Sequence, residues 1–144
     1  MAETRGEAYD QLLAFVKSGY ERWNEGELDA VARMWSDDFE WHNDPSWPGQ
    51  TVYYGRDAAV RFLSDEVANV IHLDEIEVES IEPVGDELVI RLMARTVGEG
   101  SNLDIGKVAV FHVARVRDGQ VVRVRAFLNE AQAMAAARET SAAG

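Results

Sequence analysis

The sequence has no cysteine in its 144 residues, so neither a disulfide framework nor a thiolate metal site is possible. No apolar run approaches the roughly 20 residues of a membrane-spanning helix, and the polar amino-terminal residues lack the apolar core of a secretory signal. We therefore expect a soluble, cytoplasmic protein with no membrane partner. The length predicts one domain, residues 1–140, large enough for its own core, followed by a frayed tail at 141–144.

Basic residues are few: 14 Lys and Arg stand against 26 Asp and Glu, which gives a formal charge of −12. Phosphate contacts need clustered basic side chains, so we expect no nucleic-acid partner. The three histidines, His42, His72 and His112, do not fall at the spacing of metal ligands, and Gly98 and Gly100 lack the strand–loop–helix context of a phosphate loop. We expect no metal and no cofactor.

The last third of the chain predicts a β-hairpin. Two alternating runs, Lys107–Arg117 and Val121–Leu128, flank Asp118-Gly119, and this dipeptide favours a two-residue turn because both residues tolerate positive φ. Side chains alternate across a strand, so one face carries the arginines and the other is apolar apart from His112. The apolar face comprises Val108, Val110, Ala114, Val116, Val122, Val124, Ala126 and Leu128.

Three helices are predicted before the strands. Helical spacing of apolar residues marks the first at Tyr9, Leu12, Leu13, Val16, Tyr20 and Trp23, and the second at Leu28, Val31, Ala32 and Trp35. The third opens at Gly55-Arg56-Asp57, with an inner face of Ala59, Val60, Leu63, Val67 and Val70. Between the second and third helices, a strand at Phe39–His42 and a proline- and glycine-broken loop from Asn43 to Tyr54 are expected.

Further strands are predicted at Asp74–Ile81 and Glu87–Thr96, joined at Gly85-Asp86, and a Gly/Ser loop at Gly98–Asn102 leads into the hairpin. An alanine-rich helix is expected at Glu130–Glu139. Helices grouped before antiparallel strands predict an α+β fold, with the helices on one face of the sheet.

Charges sort to the opposite, outer face and predict cross-strand ion pairs. The acidic set is Glu75, Glu77 and Glu79, and the basic set is Arg91, Arg95, Arg115, Arg123 and Arg125. The same face carries an apolar patch of Val89, Met93, Ala109, Phe111, Val113 and Phe127. An exposed patch of that size usually marks an interface, so it predicts a homodimer through the outer sheet face.

Five segments in this order resemble the SnoaL-like branch of the nuclear transport factor 2-like superfamily. They are Trp23–Asp29, Ser36–His42, Tyr54–Ala58, Arg117–Val122 and Phe127–Ala131. The resemblance extends over nearly the whole chain. It implies a cone-shaped α+β fold, in which three amino-terminal helices pack on the concave face of a curved mixed or antiparallel sheet around a deep apolar pocket. Members include ketosteroid isomerases, polyketide cyclases, epoxide hydrolases, dehydratases and non-catalytic binding proteins, so the fold alone does not decide the function.

The resemblance also implies roles for particular residues. His112 falls where the isomerases place the acidic residue that donates to the substrate oxyanion, and Tyr20 falls near their oxyanion tyrosine. Asn43 or Asp44 falls near their general-base aspartate, and apolar surroundings would raise the pKa of an inward carboxylate. The structural alternatives are a core histidine satisfied by a tyrosine or a carbonyl, a core tyrosine, and an aspartate that forms a turn before proline.

The expected substrate-binding wall comprises Trp23, Trp41, Asn43, Trp47, Tyr53, Tyr54, Leu63, Val110 and Leu128. Trp47, Tyr53 and Tyr54 form a dense aromatic group for a loop and are predicted to surround the mouth of the pocket. His42 and Asp104 are expected at the surface. The epoxide hydrolases of this family use an inward Asp–Arg–Asp arrangement, whereas here the arginines sort outward.

Two functions remain open on the sequence. The first is a cofactor-independent isomerase or polyketide-cyclase-type enzyme that uses general acid–base chemistry on a carbonyl-containing apolar substrate, with His112, Asp44 and Tyr20 as catalytic residues. The second is a binding protein of the same fold that holds a small apolar ligand. An inward carboxylate within reach of the ligand would favour the enzyme.

Overall fold

The computed structural model describes residues 2–47, 49–96 and 106–143, and the side chains of these except 2–8, 73, 74 and 140–143. The elements are α1 (Ala2–Asn24), α2 (Leu28–Ala32), β1 (Trp35–His42), β2 (Val52–Tyr54), α3 (Arg56–Asp65), β3 (Ile71–Val84), β4 (Glu87–Thr96), β5 (Lys107–Arg117), β6 (Gln120–Phe127) and α4 (Glu130–Ala143). A 3₁₀ turn, Val67–Asn69, follows α3. The predicted Gly98–Asn102 loop and Asp104 lie outside the described residues.

The six strands form one mixed sheet in the order β2-β1-β6-β5-β4-β3. Strand β1 pairs parallel with β6, and the other neighbours are antiparallel. The ladders shift register within β3–β4, β5–β6 and β1–β6, and such bulges bend strands and increase their twist. The result is the strongly curled sheet of the predicted cone-shaped α+β fold, which is confirmed.

Helices α1, α2 and α3 pack their apolar faces on the concave side of the sheet, as predicted. The core there is rich in aromatic side chains: Tyr20, Trp23, Trp35, Phe39, Trp41 and Phe62 are all buried. Helix α1 is fixed to β3 by Asn24, whose amide donates to Ile76 O at 2.7 Å and accepts from Ile76 N at 2.8 Å. This pair of bonds holds the end of α1, and with it Trp23, over the sheet.

Helix α4 packs on the opposite face. It confirms the alanine-rich helix predicted at Glu130–Glu139 and brings the described helices to four, one more than the three amino-terminal helices of the family pattern. Ala133 and Ala137 are buried against Val89, Phe111 and Val113. Small alanine side chains allow the helix backbone to approach the sheet closely. The apolar patch that was predicted to be exposed is therefore covered by the chain itself. A homodimer stays a prediction, but this patch cannot be its exposed centre.

Several predicted boundaries are wrong, each for a local reason. Trp35 begins β1 instead of ending the second helix, because Val121 N donates to Met34 O at 2.9 Å and draws the chain into the sheet. Val52–Tyr54 is a strand rather than loop, since it pairs with the end of β1. Val121 is buried in place of Val122, because a bulge in β6 leaves Val122 without a partner in the ladder. The third helix ends at Asp65, so the predicted inner-face residues Val67 and Val70 lie in and after the 3₁₀ turn instead.

The hairpin is confirmed, with Asp118 at φ 53° and Gly119 at φ 76° in the turn. Two of the predicted outer-face ion pairs are confirmed, Arg91–Glu79 at 2.9 Å and Arg95–Glu75 at 3.4 Å. A third pair in the same row, Lys107–Glu77 at 3.4 Å, was not predicted. Arg115, Arg123 and Arg125 do not join this row and contact Glu87 instead. Among the described residues, no helix is long and apolar enough to span a membrane. The cytoplasmic location stays a prediction.

Candidate functional site

The concave side of the sheet encloses a cavity of about 200 Å³ that opens at one end. Its wall is predominantly apolar, with side chains from α1, β1, α3 and strands β3 to β6. The lining residues that carry the argument are Trp23, Trp41, Asp44, Trp47, Phe62 and His112. Val70 and Leu128 also line the cavity but are about half exposed, at 45% and 50%, so they mark its opening.

His112 lies in the middle of β5, on the face that alternation predicts, and is buried. Its Nδ1 lies 2.7 Å from the hydroxyl oxygen of Tyr20 on α1. The imidazole also meets the Trp41 ring edge-on, with 5.2 Å between ring centroids, and Trp23 at 6.4 Å. Two neighbouring indoles and one tyrosine therefore fix the position of the imidazole in the cavity wall.

Both members of the Tyr20–His112 pair are neutral at physiological pH. Burial lowers the pKa of His112 to about 4 and raises the pKa of Tyr20 well above its usual value. No described residue other than His112 is available to accept the Tyr20 hydroxyl proton, so the O–H donates to Nδ1. The imidazole proton is then on Nε2, for which the described residues provide no partner. The cavity wall thus offers a ligand one N–H donor.

The lowered pKa of His112 predicts a pH-dependent stability. Below its ordinary pKa of 6.5 the unfolded chain binds a proton at His112, and the folded chain does not until about pH 4. The free energy of unfolding should therefore decrease as the pH falls from 6.5 to 4, by about 1.4 kcal/mol per pH unit and about 3 kcal/mol in total.

Denaturant titrations of the wild type and His112→Phe between pH 7 and pH 4 measure this contribution. Only the wild type has the His112 contribution, so the free energy of unfolding of the wild type minus that of His112→Phe should decrease as the pH falls. A difference that stays constant with pH would contradict the assignment of a buried, neutral His112.

Asp44 lines the cavity and is buried, at 7% exposure, but its environment is polar. One carboxylate oxygen accepts from the Ser46 N–H at 2.8 Å and from the Ser46 hydroxyl, and the other accepts from the Leu128 N–H at 2.9 Å. Burial alone would raise the pKa of Asp44, but these hydrogen bonds outweigh it and lower the pKa. The expected raised pKa is therefore wrong, and Asp44 forms the turn of the structural alternative.

Asn43 also lines the cavity, yet its side-chain amide is engaged on both sides. Its oxygen accepts from Trp41 Nε1 at 3.0 Å, and its nitrogen donates to Gln50 O at 2.9 Å. An amide held in this way positions the Trp41 indole and has no basic group to offer. Of the two alternatives for proton transfer, only Asp44 carries a charge.

The aromatic loop contributes one ring to the cavity rather than three. Trp47 lines it and meets Phe62 edge-on at 5.9 Å. Tyr53 stacks on Phe62 at 4.4 Å, outside the lining, and its hydroxyl donates to Glu66 at 3.1 Å. Tyr54 is 69% exposed. The prediction of a mouth formed by all three rings is wrong for Tyr53 and Tyr54, because Tyr53 is held against Phe62 and Glu66 of the α3 segment and Tyr54, on the opposite face of β2, is exposed to solvent.

Sequence reasoning missed two aromatic residues of the wall. Phe62 belongs to the buried face of α3 with Ala59 and Leu63, and the i, i+3, i+4 spacing of these three residues could have found it. Phe127, which was assigned to the outer face, lines the cavity near its opening while it packs against the cluster under α4. The remaining predicted wall residues, Trp23, Leu63, Val110 and Leu128, do line the cavity.

The residues that the structure describes contain no group of three His, Asp or Glu that could hold a metal ion. His42 bonds Glu40 at 2.9 Å, and His72 lies 3.6 Å from Glu75, both at the surface. Trp23 also carries a buried polar atom: its Nε1 has no hydrogen-bond partner among the described residues.

The sequence matches a model of the SnoaL-like domain over residues 16–124, a range that holds both Tyr20 and His112. The chain belongs to the SnoaL-like domain family. The comparison with curated protein sequences gives no match to this SnoaL-like chain.

Solved structures agree with the SnoaL-like fold. A protein of unknown function related to nuclear transport factor 2, from Burkholderia pseudomallei, has a TM-score of 0.66 at 18% identity, with 83% of this chain and 92% of that chain covered. An epoxide hydrolase/cyclase-like enzyme of pyran ring formation in salinomycin has a TM-score of 0.65 at 18% identity, with 85% of this chain and 94% of that chain covered. A putative SnoaL-like polyketide cyclase from Mesorhizobium loti has a TM-score of 0.61 at 17% identity, with 81% of this chain and 97% of that chain covered.

Proposed function

We propose that this SnoaL-like protein is an enzyme that binds a compact carbonyl compound and stabilises negative charge on its oxygen through the Nε2–H of His112. The observation that carries the proposal is the 2.7 Å hydrogen bond between Tyr20 and His112 in the wall of an apolar cavity. A donor fixed in position and shielded from water stabilises a developing oxyanion far better than a donor in water does.

The Tyr20 hydroxyl makes this donor stronger without giving up its own proton. As negative charge develops on the substrate oxygen, the imidazole polarises, and the Tyr20 O–H at Nδ1 can shorten its hydrogen bond in response. A neutral imidazole suits this role because its low pKa keeps it from carrying a full charge in the cavity. Trp23 lines the same cavity, and its indole N–H is buried without a described partner.

Asp44 is the proton acceptor of the proposed reaction, and its lowered pKa limits the substrate. Proton transfer is most efficient when the pKa values of donor and acceptor are matched, so a weakly basic carboxylate requires an acidic carbon. Such carbons lie between two carbonyl groups, or between a carbonyl group and a double bond or ring. Isomerisation of an unsaturated ketone and aldol cyclisation of a dicarbonyl compound both begin in this way.

The size of the cavity limits the substrate further. Pockets for drug-sized ligands measure roughly 300–1,000 Å³, and this one measures about 200 Å³. It therefore suits a molecule of one or two rings rather than a steroid or a four-ring polyketide. The indoles of Trp23, Trp41 and Trp47 favour a flat, unsaturated ring system.

Two other functions have less support. The epoxide hydrolase/cyclase-like neighbour raises epoxide chemistry, but none of the described cavity residues is an arginine. A non-catalytic binding protein is favoured by the three hydrogen bonds that Asp44 already accepts, since a carboxylate with only a structural role in the loop would make the same bonds. The binding protein is the alternative that an experiment has to separate from the enzyme.

Exchange of α-protons into D₂O, followed by proton NMR, makes that separation with two ketones of equal size. 2-Tetralone has benzylic α-protons that are more acidic than those of 1-tetralone. We expect the protein to bind both and to accelerate exchange in 2-tetralone much more than in 1-tetralone. Binding of both without any acceleration would support the binding protein, and absence of binding would contradict either function.

A further inference from the structure

The outer face of the sheet holds a buried carboxylate that the proposed reaction does not use. The side chain of Glu87, at the start of β4, is fully buried. Its Oε1 accepts from Nη2 of Arg123 and lies 3.3 Å from Nη2 of Arg125 and 3.9 Å from Nε of Arg115. Three guanidinium groups thus surround one carboxylate, in a chain whose formal charge is −12.

The three arginines crowd one another. Burial lowers the pKa of Arg125, the charges of Arg123 and Arg115 lower it further, and only Glu87 and Glu139 oppose the shift. Arg125 is engaged on both sides, since it also donates to Ala136 O of α4 at 3.2 Å. It therefore belongs to the packing of α4 rather than to a surface site.

Arg115 is in a different position. Its only described ionic contact is the 3.9 Å approach to Glu87, which is too long for a hydrogen bond, and its side chain is 23% exposed. Nε of Arg115 and Nε of Arg123 are buried, and no described residue accepts a hydrogen bond from either. The exposed part of the Arg115 guanidinium has no described acceptor, and an oxyanion in solution would supply one.

These two arginines line an open groove of about 370 Å³ on the outer side of β1, β5 and β6. Its other residues are Ser36, Asp38, Glu40, Arg117, Asp118, Gln120 and Val122. The acidic members on β1 already have donors: Asp38 accepts from the Ser36 hydroxyl at 2.8 Å, and Glu40 bonds His42 at 2.9 Å. Neither carboxylate forms an ion pair with Arg115, whose described ionic contact is with Glu87.

We propose that this groove binds a small oxyanion, a phosphate or carboxylate group, through the guanidinium groups of Arg115 and Arg123. Arg117 and Gln120 at the exposed rim add donors. The planar guanidinium fork matches both anions, and donors held by the sheet give the contact its direction. The site lies on the face of the sheet opposite to the cavity, so it does not depend on the proposed reaction.

Titration with inorganic phosphate tests the site, with thermal unfolding and isothermal calorimetry as measurements and with NaCl holding the ionic strength constant. We expect saturable binding and a melting temperature that rises by roughly 3–5 °C near saturation. A parallel titration with acetate identifies the class of anion: a response to phosphate, to acetate or to both supports the site and names its ligand.

The variant Arg115→Gln should lose the response and keep the fold, because Arg123 and Arg125 remain to compensate Glu87. Arg117→Gln, at the exposed rim, should weaken the response several-fold. Arg95→Gln removes the same charge from an exposed outer-face pair and should leave the response unchanged. Equal stabilisation by NaCl alone, or an undiminished response in Arg115→Gln, would overturn the proposal.

Discussion

Replacement of His112 by Phe is expected to slow α-proton exchange in 2-tetralone by roughly 10²–10³-fold. Phe retains a ring of similar volume between Trp23 and Trp41 but removes the Nε2–H donor and the acceptor for the Tyr20 hydroxyl. In other enzymes, removal of one preorganised oxyanion donor lowers the rate by a factor of this size. The affinity for the anion of 4-nitrophenol, a stable oxyanion, should fall with the rate.

The variant Tyr20→Phe should have a smaller effect, about tenfold, because the imidazole can still donate from Nε2 while it loses the partner that polarises it. In that variant Nδ1 has no fixed partner, so the two tautomers of His112 compete. The double variant should be little slower than His112→Phe alone, since Tyr20 acts only through the histidine. Independent, multiplicative effects would show that the Tyr20 hydroxyl meets the substrate directly.

A matched control is His42→Phe, the same substitution at a partly exposed histidine that bonds Glu40 outside the cavity. It should exchange 2-tetralone at the wild-type rate. If His112→Phe remains folded and also exchanges at that rate, His112 has a structural role only, and the proposed mechanism fails with it.

The sequence was sufficient to place His112 and Tyr20, because strand alternation and helical spacing each assign a residue to a face from its own neighbours. It could not predict the state of Asp44. The pKa of that carboxyl depends on the Leu128 N–H, a donor 84 residues away along the chain. Local pattern predicts which way a side chain points, but the donors that reach it from distant segments are a property of the closed fold.

The outer face illustrates the same limit. Alternation correctly assigned Val89, Phe111 and Val113 to that side, but the sequence pattern does not reveal that α4 folds back over them. A patch that is apolar in sequence is exposed only if no other part of the chain covers it. The ion cluster around Glu87 was missed for a related reason. Leu88 pairs with Ala114, and Arg115 pairs with Arg123, so Glu87 comes close to these arginines only when the register of β4, β5 and β6 is known.

The largest expected loss of stability follows from that register. Glu87→Gln should decrease the free energy of unfolding by roughly 3–5 kcal/mol, because removal of one partner from a buried ion network leaves uncompensated charge. The value should lie near the lower end, since the side chains of Arg115 and Arg125 retain 23% and 16% exposure and keep some hydration. Urea denaturation at neutral pH measures it.

Glu79→Gln is the matched control: it makes the same change in a surface pair that is 2.9 Å from Arg91, and it should cost less than about 1 kcal/mol. A second substitution separates charge from packing. If excess positive charge causes the loss, Arg115→Gln should restore part of the stability of Glu87→Gln, whereas it should change the wild type little. A loss below 1 kcal/mol in Glu87→Gln, or no recovery in the double variant, would mean that water rather than Glu87 compensates the three arginines.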